Sequence, residues 1–581
     1  MSSSAIRPWL SIGLAAVLCA SCAKDAGSTS TGTGAASGSG GATTGTGSTS
    51  GSGNAGGGYV VPDSAFLAAR VRRLTNAEYD ASVKALLGTT TSPSVQFSFP
   101  PDTPQGPTSS PAGPAFTLNA EQRVDPVLAD KLDTAALSLV TEARGNGKLA
   151  ALAPCASPTG SAGEACAKTF AQSFGAKVYR RALTQDEVNG LVVGPTSVYH
   201  VGADGYTYDD GVDLMTRVLL QSVGFLYVTE LGDVGASGTF AIAPTEIAMS
   251  MSYLLTAGPP DATLAVNASV GMLATAAGRE QEARRLIATA AGRARMVRVV
   301  REWLGIADVA HREKAQSLYP GFSAVSASME AESTNFIDEV MTNSTGTIGE
   351  LLSADWTIVD SALATVYGVP SAGTGKRTSL AGTTRRGILN QGAFLSVFAT
   401  NNGSHPVFRG VSLMRRVACL PVSDPGPLGI VVSFPAADPT KTTRARFEQH
   451  ALDQGCAGCH TSIDAFGFAF EGFDGMGQAR TTENGLPIDT GVTIKVGSDL
   501  DGDYADSGAL ATALAASPSV RMCLARQIFR SSAGRSDPKV AASESAFVEL
   551  WKQLPAQQQG RLVDVLVAYV RSPLFVERKA P

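Results

Sequence analysis

Histidine is scarce, five residues in 581, and no H-E-x-x-H or other clustered arrangement occurs. That removes the zinc-hydrolase signature and any triad assignable from sequence. Charge is also sparse. Asp, Glu, Lys and Arg make up 17% of the chain with a net charge of -5, so there is no basic footprint for nucleic acid or an anionic membrane surface. Beyond the N-terminus no apolar run is long enough to span a bilayer. No fixed-period repeat supports a solenoid.

The N-terminus holds the first positive signal. Arg7 precedes an apolar run from Trp9 to Ala20, too short for a transmembrane helix and suited to an export signal. It ends in Leu18-Cys19-Ala20-Ser21-Cys22, which resembles a bacterial lipobox with Cys22 as the lipidated residue; plain secretion and a retained anchor are the alternatives. The expected location is extracytoplasmic, in the periplasm or at the cell surface as an outer-membrane lipoprotein, with membrane contact only through the lipid anchor. From Gly27 to Gly58 the chain is almost wholly Gly, Ser, Thr and Ala, a tether without the apolar surface to order itself.

Past Val60 the pattern is helical. Thr75 with Glu78, and Thr184 with Glu187, read as capping boxes. Helical periodicity runs over 120–143, 169–193, 212–226, 245–255, 261–304 and 327–367, with Asp355 a candidate N-cap for the last helix. Residues 387–399 are apolar and expected to be buried. Strand signals concentrate at 490–496, after the turn at Asn484-Gly485. The fold expected is mainly α: a multi-domain helical protein with a c-type haem module and a small β element near the C-terminus. The domains expected are a signal peptide (1–22), a tether (23–60), N-terminal helical modules (61–202), a central helical domain (203–343), a helical domain before the haem module (344–436) and a C-terminal haem domain (437–581).

Cys456-Ala457-Gly458-Cys459-His460 carries the chemistry. Two thiols three apart can form thioethers to haem vinyl groups, and the adjacent histidine supplies an axial nitrogen to iron. An export signal agrees, because c-type haem is attached outside the cytoplasm. Competing readings are a redox dithiol, which lacks a thioredoxin-like setting, a zinc site completed by His450 or Cys419, and a structural disulfide. Met476, between Gly475 and Gly477, is the first candidate for the sixth ligand. Met522, His450 and an open iron are the alternatives, and Arg480 is a candidate partner for a propionate.

Outside the leader and the motif, Cys155, Cys166, Cys419 and Cys523 remain. Cys155 with Cys166, close in sequence and flanking a Gly/Ser-rich loop, is the preferred pair, leaving Cys419 to Cys523; buried free thiols are the alternative. The acidic run Asp499 to Asp506 has its glycine misplaced for a calcium loop and reads as a solvated turn. His405, in Ser404-His405-Pro406, reads as a turn or packing residue.

Arg73-Leu74-Thr75-Asn76-Ala77-Glu78-Tyr79, Tyr179-Arg180-Arg181-Ala182-Leu183-Thr184, Asn390-Gln391-Gly392-Ala393-Phe394-Leu395, Pro406-Val407-Phe408-Arg409-Gly410 and the segment from Cys456 to Arg480, in this order, resemble the Planctomycete/Shewanella multi-domain exported proteins with a C-terminal cytochrome c-type haem motif, domain families of largely unknown function. The resemblance implies one covalent haem c on Cys456, Cys459 and His460, and places Gly477 and Arg480 in the same signature. Met476 stands where many relatives are expected to carry an aliphatic residue. The function expected is electron transfer to an unidentified redox partner; a single-haem oxidoreductase and a surface binding or scaffold protein with a structural haem are the alternatives. Whether the chain is an enzyme is left open at this stage.

If Cys22 is lipidated, Cys22→Ala moves the protein from the membrane fraction to a soluble exported fraction. Fractionation followed by immunoblotting checks this, and an unchanged membrane fraction points to a retained signal anchor.

Overall fold

The computed structural model describes residues 59–102, 104–105, 115–117, 123–153, 155, 158–200, 207–233, 235–423, 435–452, 455–534 and 540–580. The leader, Cys19, Cys22 and the tether lie outside the described residues. Among the described residues the chain is mainly helical, with six small two-stranded sheets, all antiparallel.

Both expected capping boxes are present, at Thr75 with Glu78 and at Thr184 with Glu187, and they open the helices Asn76–Leu87 and Gln185–Val192. The periodic stretch over 169–193 is broken into Gly160–Tyr179 and Gln185–Val192. The break is at Arg180, which takes a left-handed backbone (φ 58°) while its guanidinium donates to the carbonyls of Gly224, Phe225 and Tyr227 and to the Tyr253 hydroxyl. These contacts offset the cost of a non-glycine residue at positive φ. The N-cap expected at Asp355 is a correction: Asp360 caps Ser361–Tyr367, accepting from Leu363 N–H. Trp356–Thr357 pairs with Thr378–Ser379, and this extended segment delays the helix.

The Asn484-Gly485 turn joins Thr482–Glu483 to Leu486–Pro487, with both turn residues at positive φ as such hairpins need. The strand expected near 490–496 is Val492–Ile494, antiparallel to Gly502–Tyr504. Two further pairings join distant segments. Arg70–Arg73 lies against Tyr227–Glu230, and Thr239–Ala241 against Glu577–Lys579. Both preferred disulfides are formed, Cys155–Cys166 and Cys419–Cys523.

One apolar core is built from residues between Ala65 and Val576, and a second gathers the helices between Tyr79 and Leu226. Residues 387–399 lie in the first core, as expected. No single described helix is long and apolar enough to cross a membrane.

Inside the main core sits a polar knot. The buried Glu332 accepts from Thr357 Oγ1 and Tyr367 Oη, both at 2.6 Å, and Tyr367 Oη in turn accepts from Gly392 N–H at 2.5 Å. Burial pushes the Glu332 carboxyl up to about 7, against the two hydroxyls that donate to it. The folded state therefore binds this proton more tightly than the unfolded chain. The stabilisation is fully present below the ordinary value of 4.5 and is lost as pH rises through about 7. Glu332→Gln is expected to flatten the fall in stability across that window, measured as urea midpoints of parent and variant at several pH values.

Candidate functional site

The site begins with a helix pair. Pro406–Ser412 starts on a proline, where the missing N–H costs nothing, and His405 caps it, its Nδ1 accepting from Phe408 N–H at 3.2 Å. The His405 ring is buried, stacked on Phe408 (centroids 3.8 Å, 15°) with Phe447 edge-on at 5.0 Å. It is a packing residue here. The helix runs against Ala457–Phe468 at backbone distance. A Cβ built on Gly410 would fall 2.0 Å from Ile463 O, and one on Gly467 would fall 2.0 Å from Pro406 O.

Arg409, with no exposed surface, locks the pair. Its guanidinium donates to the carbonyls of Phe470, Phe473, Leu395 and Asp474 at 2.7–3.1 Å, with Glu471 Oε1 at 3.8 Å. Burial pulls the Arg409 pKa down to about 10 and pushes the Glu471 carboxyl up, against the pull of Arg409 and Arg480.

Cys456 stands at the cap of Ala457–Phe468. The N–H groups of Cys459 and His460 both return to its carbonyl, at 3.1 and 3.0 Å, which places the two sulfur-bearing residues and the imidazole on the first turn. Both thiols are free, Cys456 half-buried and Cys459 exposed, so the structural-disulfide reading is not realised. The His460 side chain is 21% exposed, and its Nδ1 lies 3.0 Å from Oδ1 of the buried Asp464. A carboxylate accepts only, so a neutral His460 carries its proton on Nδ1, which makes Nε2 the acceptor nitrogen of the ring. Asp464 was not singled out from sequence. Its four-residue spacing from His460, which puts both on one helix face, is the signal that could have found it.

Beside this helix packs the strand Val492–Ile494. An open groove of about 690 Å³ lies on that hairpin, lined by Arg444, Val492, Thr493, Asp503 and Tyr504 among others. Arg444 spans from the Phe468 ring (5.0 Å) to Gly491 O (2.7 Å).

The other candidates lie elsewhere. From His460 to Phe468 the helix advances about 12 Å, and Met476 follows beyond the next turn, 6% exposed within the main core. Ser396 Oγ donates to its carbonyl at 3.3 Å, and Gly475 N–H meets Tyr319 Oη at 3.2 Å. Arg480 is engaged by Glu471 (2.9 Å), Glu483 (3.1 Å) and Ser404 (2.9 Å). Met522 packs half-buried against the main core, and the His450 side chain lies outside what is described.

No group of three or more His, Cys, Asp or Glu side chains among the described residues could hold a metal ion. Cys419, the other proposed zinc ligand, is in a disulfide. The acidic run is a set of turn acceptors. Asp499 takes Ser517 Oγ, Asp501 takes the N–H groups of Val496 and Gly497, and Asp506 caps a helix.

Four family models match, in chain order: PSD3, Protein of unknown function (DUF1587), residues 72–145; PSD5, Protein of unknown function (DUF1595), residues 166–230; PSD4, Protein of unknown function (DUF1592), residues 242–369; and PSCyt3, Protein of unknown function (DUF1588), residues 385–483. They are consistent with multi-domain proteins of the Planctomycete type, and the last match spans both helices of the pair. Neither the curated proteins nor the solved structures contain a match.

Gly410→Ala is expected to destabilise the protein by about 1–3 kcal/mol, because the added methyl must displace backbone rather than a flexible side chain. Denaturant unfolding of parent and variant measures it. An unchanged midpoint would mean that the helix pair relaxes without cost.

Proposed function

We propose that this chain is an exported electron-transfer protein that carries one haem c on Cys456, Cys459 and His460. The observation that carries the reading is the first turn of Ala457–Phe468, which brings together two free thiols, Cys456 half-buried and Cys459 exposed, and an imidazole with its Nδ1 pinned by Asp464. The donor set fits the group: two sulfur nucleophiles for the vinyl carbons and one nitrogen for iron. The match to a family with a cytochrome-like name over residues 385–483 supports it, and two disulfides agree with an oxidising compartment. Lipid attachment at Cys22 and an outer-membrane or cell-surface location belong to the same proposal.

Bound haem would supply one-electron exchange at iron. The chain's own residues set the conditions. Asp464, buried and accepting from Nδ1–H, fixes the tautomer and the ring plane of His460. The Gly410 and Gly467 contacts hold the helix against its partner, so the imidazole turns little when charge changes. Arg444, in the neighbouring groove, is already engaged by Glu448 (2.8 Å) and Asp489 (3.1 Å). Met476 and Arg480 take no part in this reading, since their side chains serve the core and the Glu471 network.

A second reading, a haem oxidoreductase with an open sixth position, is favoured by one observation: a carboxylate rather than a carbonyl supports the imidazole.

Cys456→Ala with Cys459→Ala is expected to abolish covalent haem staining on a denaturing gel, and staining that survives both changes overturns the reading. The ferric spectrum of the parent then separates carrier from catalyst: high-spin features support an open iron, low-spin features a six-coordinate carrier.

A further inference from the structure

Far along the chain from the thiols, six separate stretches of chain line a small polar cavity, with about 30 Å³ open to the centre of a water-sized sphere. Its lining includes Arg70 and Arg72 from the strand Arg70–Arg73, Glu230 from the strand paired with it, Ser250 and Arg295 from two central helices, and Arg578 near the C-terminus.

The charges do not balance. The lining holds four arginines, residues 70, 72, 295 and 578, and two glutamates, 78 and 230, which leaves two positive charges in excess. Glu78 is taken by Arg72, at 2.7 and 3.0 Å. Glu230 is shared by Arg70 (2.9 Å) and Arg578 (2.6 Å). Arg295 is 8% exposed and donates through Nε to Leu254 O at 3.2 Å. It makes no ion pair with any described residue. Glu302, on the same helix, is held by Arg298 at 2.9 Å.

Hydroxyls add to the donor set. Ser250 Oγ and Ser532 Oγ, both lining the cavity, are buried and find no hydrogen-bond partner among the described residues, and Ser250 as a whole is 9% exposed. Unpaired buried cations and unused donors are each costly. One ligand relieves both.

We infer that this cavity is a binding site for a single inorganic oxyanion of phosphate or sulfate size, held by Arg295, Ser250 and Ser532 within the arginine cluster. A guanidinium edge and hydroxyls give charge-assisted bonds that an oxyanion with several acceptor atoms can take together. The cavity is too small for a peptide side chain to enter with its backbone. The bound anion would join the N-terminal strand, the central helices and the C-terminal segment, so its binding would be read as stability of the whole fold.

The test uses the mature protein, dialysed into chloride buffer at fixed ionic strength. Inorganic phosphate and sulfate, added at low millimolar levels, are each expected to raise the thermal unfolding midpoint with the logarithm of concentration and to titrate one site by calorimetry. Equivalent chloride should do neither. Arg295→Gln is expected to weaken binding at least about tenfold. Ser250→Ala, a smaller change that keeps the arginine cluster, should weaken it less, and Arg293→Gln, at a half-buried arginine on the same helix that pairs with Asp338 and does not line the cavity, should leave it unchanged. Absence of any titration in the parent overturns the inference. So does an equal response to chloride, or undiminished binding in both Arg295→Gln and Ser250→Ala.

Discussion

The guanidinium of Arg409 is the constraint on which the site depends. A fully buried cation would cost several kcal/mol if left alone, and here it is wrapped by four carbonyl oxygens and approached by Glu471. Those carbonyls belong to the turn that follows the motif helix and to the buried helix Gly392–Val397 and its neighbours. One side chain thus fixes the helix that bears it to the end of the helix that bears the thiols. Any movement of the second helix must break charge-assisted hydrogen bonds in a low-dielectric interior, where they are strong.

Glycine completes what Arg409 begins. Gly410 and Gly467 let two backbones meet where any side chain would collide with a carbonyl, so the helices share their closest approach one turn past His460. The result is a rigid platform on one side and an exposed edge on the other. Burial of Asp464 and partial exposure of His460 go with this geometry: the carboxylate is buried, the imidazole rests on it, and of the two thiols Cys459 is the exposed one.

The same logic of distant segments meeting recurs away from the thiols. The strand Arg70–Arg73 pairs with Tyr227–Glu230, Thr239–Ala241 pairs with Glu577–Lys579, and Cys419–Cys523 closes a loop of more than a hundred residues. Closing long loops removes much conformational freedom from the unfolded chain. These pairings gather arginines that are far apart in sequence, which is how a cluster with excess positive charge forms in a chain whose net charge is -5.

Local features were legible in the sequence because local physics decides them. The capping boxes at Thr75 and Thr184, the Asn484-Gly485 turn, the helical periodicity and the spacing from Cys456 to His460 each rest on residues within one or two turns of one another. The preferred cysteine pairings also matched the fold. Asp355 was misjudged as a cap because Trp356–Thr357 is held extended by a partner more than twenty residues away. Tertiary packing alone decided that Met476 lies in the core, that Arg480 turns to Glu471, that Asp464 supports His460 from a buried position, and that Arg295 makes no direct ion pair among the described residues. Each of these depends on burial and on contacts across the fold, where the electrostatic environment of a side chain is set by neighbours that sequence spacing does not reveal.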